Sequence, residues 1–342
     1  MINVKSNVKV SNTYNECERN FEYGVDYVTK IFSSKEYFYI DSVKQGIIIE
    51  TNDTSLPVLL IVHGGPGLPV FPIMKANKIN LHTIFTVCYW DQRGTGMSYT
   101  SDSEGMTIEQ MVCDTIHISR YLCDKFNSEK IFILGHSWGT LLASLAASDN
   151  PSLYHAYIGV GQVSIPQESE KETYQYLLKK VKDTNNKKWI AEVEGFEFNH
   201  LYYKSQKYNI IRSKYTEKFG VGFLRRGYSN FQIIKDIILA PVYTLTEKRN
   251  VIAGMFNSYK VLSKPISTTN LLNKINQFEV PVYILQGRYD FLTSHYQATK
   301  FYQHIKAPKK ELITFEQSAH APFIDEKEKF ISKLKEIIIS NE

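Results

Sequence analysis

Apolar residues fall in short continuous runs separated by polar stretches over most of the chain. Six of these runs read as buried strands: 57–62, 84–90, 131–134, 156–160, 280–285 and 311–315. Their hydrophobicity is continuous rather than alternating, which suits strands covered by helices on both faces. Between the second and third runs, Ile108, Met111, Val112, Thr115, Ile116, Ser119, Leu122, Cys123 and Phe126 recur at the helical period. Thr107, followed three residues later by Gln110, is a capping-box start for that helix. Strand and helix in alternation predict an α/β fold with a mostly parallel sheet and right-handed crossovers. Ahead of it, 37–40 and 46–50 predict an antiparallel hairpin.

The rhythm stops after Gly161 and resumes near Val280. Between them 168–182, 187–194 and 231–239 carry helical spacing, and no strong strand intervenes. The expectation is a helical cap over 163–265, inserted between core segments 35–162 and 266–342. It would stand at the carboxyl edge of the sheet, where open α/β sheets bind ligands. Residues 1–34 have weak periodicity and stay unassigned as an N-terminal extension.

Composition narrows the class. A chain of 342 residues, 43% hydrophobic and 22% charged, can bury a large core. No apolar run reaches the ~18 residues of a spanning helix. The polar N-terminus lacks a signal-peptide middle, and Cys17, Cys88, Cys113 and Cys123 form no close pair, so a reduced, cytoplasmic protein is expected. The net charge of +5 is mild, and Lys179, Lys180, Lys182, Lys187 and Lys188 read as solvated helix faces. Neither a nucleic acid nor a membrane is expected as partner. The 23 Tyr and 19 Phe, many between 154 and 260, either line an apolar ligand pocket or pack a small helical domain.

Candidate chemistry centres on Gly135-His136-Ser137-Trp138-Gly139, which follows one predicted strand and opens a helix of small residues. A serine on such a turn projects its hydroxyl outward. A base must remove its proton, and His320 lies just beyond the strand 311–315, on the same sheet edge. Asp290, just after the strand 280–285, is the acid that can orient it. His63-Gly64-Gly65-Pro66-Gly67 follows the first buried strand and offers unobstructed amides. The amides of Gly65 and Trp138 are the expected oxyanion donors. No metal-ligand spacing is present and no cofactor is expected.

Together with Asp91-Gln92-Arg93-Gly94-Thr95-Gly96-Met97-Ser98 and Gly287-Arg288-Tyr289-Asp290, these motifs resemble the proline iminopeptidase (prolyl aminopeptidase) family. The resemblance covers about 36–160 and 278–330. It implies an α/β-hydrolase fold with an inserted helical cap, Ser137 as nucleophile with Asp290 and His320, and a structural turn at Asp91 to Arg93. Members that release N-terminal proline read the free amine with cap acids. In the matching stretch, Met255 to Tyr259, Phe256 stands where the acid should be. Glu192, Glu194, Glu197 and Glu217 are the other acids able to serve, and Gly64, Phe256 and Glu197 are the candidate substrate-lining residues. The substrate is then a short peptide, or a small ester, lactone or amide without a free amine. A ligand sensor on the same scaffold is the remaining alternative. Oligomeric state is not legible in the sequence.

Overall fold

The computed structural model describes residues 31–100, 106–225 and 230–341 and places eight strands in one sheet. In chain order they are β1 (Phe32–Ile40), β2 (Val43–Thr51), β3 (Val58–Val62), β4 (Thr86–Asp91), β5 (Ile131–His136), β6 (Tyr154–Val160), β7 (Val282–Gly287) and β8 (Lys310–Phe315). Their spatial order is β1-β2-β4-β3-β5-β6-β7-β8. The β1–β2 and β2–β4 pairs are antiparallel and all later pairs are parallel. The mostly parallel sheet expected from the sequence is therefore the one the chain forms. The hairpin is longer than its apolar signal, because β1 is an edge strand with exposed positions such as Phe32 and Tyr39. It begins inside the stretch left unassigned; residues 1–30 lie outside the described residues.

Eleven helices are described: α1 (Phe71–Ala76), α2 (Ile108–Phe126), α3 (Trp138–Asp149), α4 (Pro166–Asp183), α5 (Lys187–Glu194), α6 (Gln206–Lys218), α7 (Asn230–Leu239), α8 (Leu245–Thr268), α9 (His295–His304), α10 (Pro322–Asp325) and α11 (Lys327–Ile339). Among the described residues no helix is long and apolar enough to cross a membrane. Only half of the expected capping box forms at α2. Thr107 Oγ1 accepts the Gln110 N–H at 3.1 Å, but the Gln110 side chain turns away and donates to Asp114 Oδ1 at 2.9 Å. A complete box sits at α8, between Thr244 and Glu247.

Alternation along the strands splits the core in two. Leu60, Val62, Cys88, Trp90, Ile131 and Ile133 face α2, α3 and α9. Leu59, Ile61, Val87, Tyr89, Phe132 and Leu134 face α1 and α11. Both faces are thus covered, which explains why the runs read as continuous.

The helices α4 to α8 lie between β6 and β7 and hold a third, aromatic core around Leu177, Val193, Tyr208, Ile211 and Tyr215. Tyr174, Phe196, Phe198, Tyr202 and Tyr208 stack there, with ring centroids 4.9 Å apart for Phe196 and Tyr208. The aromatic richness of this stretch packs helices.

Candidate active site

β5 ends at His136 and α3 begins at Trp138, so Ser137 alone makes the turn between them. Its φ of 54° and ψ of −122° are costly for a residue with a side chain, on the order of 1–3 kcal/mol. Hydrogen bonds hold it there. Ser137 N–H donates to Val160 O at 2.8 Å, and Ser137 O accepts the Thr140 N–H at 2.8 Å and the Thr140 hydroxyl at 2.6 Å. Gly139 permits the close crossing of strand and helix, since a Cβ there would lie 1.9 Å from Val62 O. Ser137 is left on the wall of a cavity at the carboxyl ends of the parallel strands.

Asp290 follows β7 and His320 follows β8, and the structure brings them together: Asp290 Oδ2 lies 2.8 Å from His320 Nδ1. The buried carboxylate is surrounded by donors. Oδ1 accepts the N–H groups of Leu292 and Thr293, each at 2.9 Å. Oδ2 also accepts Gln286 Nε2–H at 2.8 Å and the Thr293 hydroxyl at 3.0 Å. A carboxylate only accepts, so His320 donates through Nδ1–H and keeps the Nε2 lone pair for a proton. His320 lines the same cavity as Ser137. His136 supports it from below, donating Nε2–H to His320 O at 3.2 Å. Burial, then repulsion from His320, pushes the His136 pKa well below its ordinary value, so it stays neutral.

The loop after β3 is tied down by polar groups. Gln92 N–H donates to His63 Nε2 at 3.1 Å, Gln92 Nε2–H donates to His63 O at 2.7 Å, and Trp138 Nε1–H donates to Gln92 Oε1 at 3.0 Å. Burial lowers His63 to about 4, so its ring is neutral, with Nδ1–H donating to Gly64 O at 2.9 Å. Gly64 packs directly on the nucleophile turn: a Cβ there would meet Ser137 Cβ at 3.0 Å. Gly65 lines the cavity, and Trp138 is the first residue of α3, where no intrahelical acceptor exists. Among the described residues neither of these two backbone N–H groups has an acceptor. Beside the loop, Asp91 accepts Met97 N–H at 2.8 Å and Tyr243 OH at 2.7 Å, while Arg93 grips Asp114 through Nε and Nη2 at 2.7 and 2.8 Å. That stretch is a buried brace rather than part of the cavity.

The cavity measures about 270 Å³. One side carries Gly64, Gly65, His136, Ser137 and His320, with Leu68, Val70, Ile73 and Leu292 around them. The other side comes from the inserted helices: Arg212, Ser213, Thr216 and Glu217 on α6, then Gly222, Phe223, Leu224 and Ile233.

Two of the residues expected to line the substrate do not. Phe256 is 74% exposed on the outer side of α8, because Gly254 and Ser258 turn inward and a residue two positions along a helix points the other way. Glu197 is exposed in the loop after α5, where Val193 and Phe196 take the inward positions. Glu192 and Glu194 are paired with Lys214 and Lys182. Of the four acids put forward, Glu217 lines the cavity. Arg212 also reaches it with its charge already matched: Nε is 2.8 Å and Nη2 2.6 Å from the Glu170 carboxylate. Glu217, exposed on its open side, has no partner for its carboxylate among the described residues. The sequence reading missed α6 and with it Arg212 and Thr216. The available signal was Ser205, an N-cap, ahead of Tyr208, Ile211 and Tyr215 at helical spacing.

Comparison with known proteins places the chain in a family. Over 297 residues the chain is 29% identical to the probable aminopeptidase YbaC of Bacillus subtilis (strain 168), covering 86% of this chain and 93% of that protein. It is 24% identical over 295 residues to a proline iminopeptidase of Heyndrickxia coagulans, covering 85% and 93%. Its fold superposes on the crystal structure of a proline iminopeptidase from Mycobacterium smegmatis with a TM-score of 0.66 at 17% identity, over 90% of this chain and 98% of that one. Residues 57–327 match the family described as alpha/beta hydrolase fold, and the chain belongs to that family as a serine hydrolase.

Proposed function

We propose that this hydrolase is an aminopeptidase that releases N-terminal residues, proline preferred, from short peptides through an acyl-enzyme. Ser137 Oγ attacks the carbonyl as His320 Nε2 takes its proton, and Asp290 holds the imidazole and stabilises its charged form. The N–H groups of Gly65 and Trp138 receive the oxyanion. His320 then returns the proton to the departing amine, and a water activated by the same nitrogen releases the acyl group.

The observation that carries the reading is Glu217, a carboxylate without a partner among the described residues, on the same cavity as Ser137. An ammonium entering that space needs such a group. The names of the aminopeptidase and proline iminopeptidase relatives support it. So does a volume of about 270 Å³, which suits a small residue. The apolar positions Leu68, Ile73, Leu224 and Ile233 favour a second reading, a carboxylesterase, lactonase or amidase acting on small hydrophobic acyl groups.

Proline arylamide, its N-acetylated form and a short acyl nitrophenyl ester separate the two. The peptidase prefers the first and loses it on acetylation; an enzyme that prefers the ester and ignores acetylation refutes it. Ser137→Ala is expected to lower turnover roughly a millionfold and to abolish fluorophosphonate labelling. Labelling at the wild-type rate in that variant rules out Ser137 as the nucleophile.

A further inference from the structure

Behind Ser137, His320 and Asp290 runs a line of hydrogen bonds that the proposed chemistry does not use. Ser137 O accepts the Thr140 hydroxyl, and Thr140 Oγ1 accepts the Val163 N–H at 2.9 Å. At the neighbouring residue, Tyr157 OH donates to Gln162 Oε1 at 2.6 Å, and Gln162 N–H donates to Gln286 Oε1 at 2.9 Å. Gln286 Nε2 then donates to Asp290 Oδ2 and to Thr293 O, each at 2.8 Å. The line joins the turn after β5, the end of β6 and the loop after β7, and it ends on the carboxylate that holds His320.

Gln286 is fully buried near the end of β7, so no water replaces these partners. Its orientation is fixed by chemistry. Turned over, the amide would set Oε1 against the Asp290 carboxylate and Nε2 against the Gln162 N–H, repulsive on both sides. We infer that Gln286 is a positioning residue that aims the Asp290 carboxylate at His320 and limits how tightly Oδ2 holds the imidazole proton. The inference rests on the Ser137–His320–Asp290 reading above.

Asp290 Oδ2 divides its charge among Gln286 Nε2–H, the Thr293 hydroxyl and His320 Nδ1–H. A hydrogen bond to the charged form of an acid makes it a weaker base. Without the amide donor, more of the negative charge falls on the imidazole, which keeps its second proton to higher pH. The other titratable or charged groups around the pair belong to other elements. His295, the first residue of α9, donates its N–H to Asp290 O at 3.3 Å, and its ring feels the Asp290 charge. His136 from β5 has its ring 4.9 Å from that of His320. Asp325 from α10 accepts the N–H groups of Ala319 and Arg225. Arg212 and Glu217 lie on α6 across the cavity. Among the described residues none of these bonds to Gln286, so among the titratable groups its replacement reaches Asp290 directly. Its other partners are the Gln162 N–H and Thr293 O, and the Thr293 hydroxyl lies 3.0 Å from Asp290 Oδ2 and 3.2 Å from His320 Nδ1.

The rate of fluorophosphonate inactivation reads the base directly, because it needs Ser137 and a deprotonated His320 and no knowledge of the substrate. Gln286→Met, matched in length and without a donor, is expected to react several-fold more slowly at its plateau. The acid limb of its rate–pH curve is expected to move up by about half to one pH unit. Gln286→Ala does the same if the longer side chain is not accommodated. Tyr157→Phe cuts the line away from Asp290 and is expected to lower the Tm and leave the limb in place. A limb that stays put, or moves to lower pH, in the folded Gln286 variants overturns the inference. Undiminished labelling of Ser137→Ala defeats instead the serine reading beneath it, so the two failures are told apart.

Discussion

The wall of the cavity that carries Ser137 is made of backbone turns at the ends of β3, β5, β7 and β8, each fastened by main-chain hydrogen bonds or by buried amides such as Gln92 and Gln286. The facing wall is made of side chains: Arg212, Thr216 and Glu217 from one face of α6, with Phe223, Leu224 and Ile233. Backbone groups link it to the first wall, among them His320 N–H to Gly222 O at 3.2 Å, Ala321 N–H to Phe223 O at 3.0 Å and Phe291 N–H to Val221 O at 3.1 Å. The difference divides the work. A change in the first wall disturbs the turns that position the proposed reacting groups. The second can change one side chain at a time while the sheet stands, which is where selectivity belongs.

Short of removing Ser137 itself, Gly64→Ala tests the first wall and should have the largest effect. The added methyl lands 3.0 Å from Ser137 Cβ and 3.1 Å from His136 O, closer than ordinary contact, so the loop carrying Gly65 must move outward. If the Gly65 N–H receives the oxyanion as proposed, displacing it costs on the order of 10²–10³ in kcat. The expected result is a fall of that size on any substrate the enzyme turns over, with the Tm nearly intact. Wild-type kcat would remove the loop from the chemistry.

Glu217→Gln probes the second wall, with a more modest and more selective outcome. The variant keeps the shape and loses the charge. KM for substrates with a free N-terminal amine is expected to rise roughly tenfold, the ~1.4 kcal/mol of a charge-assisted hydrogen bond in a partly solvated site. Esters and N-acetylated substrates should be unaffected. An equal loss on both classes would mean that Glu217 shapes the cavity without reading the amine.

The same division governs what the sequence reveals. Strand runs such as 131–134 are legible because burial on both faces leaves no polar position to blur them. The first wall follows, since Ser137, Asp290 and His320 each stand just past such a run. The strand ends are less visible: β7 extends past Leu285 into Gln286 and Gly287, and polar residues placed there for the site do not look like strand. The second wall depends on how helices are rotated against the sheet, which no local pattern records. Tyr208, Ile211 and Tyr215 are buried on α6 but Ile210 is exposed, so the helix shows no clean apolar stripe. The sequence supplied Glu217 as one of four acids; packing alone selects it. Phe256 was two residues from Gly254, and on a helix two residues is the opposite face.

The seam between the walls offers the smallest effect, on stability rather than turnover. Asp91 ends β4 and accepts the hydroxyl of Tyr243, which lies between α7 and α8. Burial pushes its carboxyl from an ordinary 3.8 up to about 7. The folded chain therefore keeps this proton between about pH 4 and 7, where the unfolded chain has released it. The sign follows: Asp91's contribution to stability falls as pH rises through that window and is gone above it. His63, lowered from 6.5 to about 4, works the other way, losing stability as pH falls through that range. Asp91→Asn cancels the His63 effect in a comparison of the two proteins and isolates Asp91. The amide can accept from Met97 N–H through Oδ1 and donate to the Tyr243 oxygen through Nδ2, so the brace survives. A shift of about three units sets a ceiling near 4 kcal/mol, and local relaxation should leave about 1–2 kcal/mol. In urea titrations the stability difference between variant and wild type is expected to shift towards the variant by that amount from pH 5 to pH 8. A difference that stays flat would mean that Asp91 is already ionised at pH 5, and that the seam between the walls carries a buried charge throughout that range.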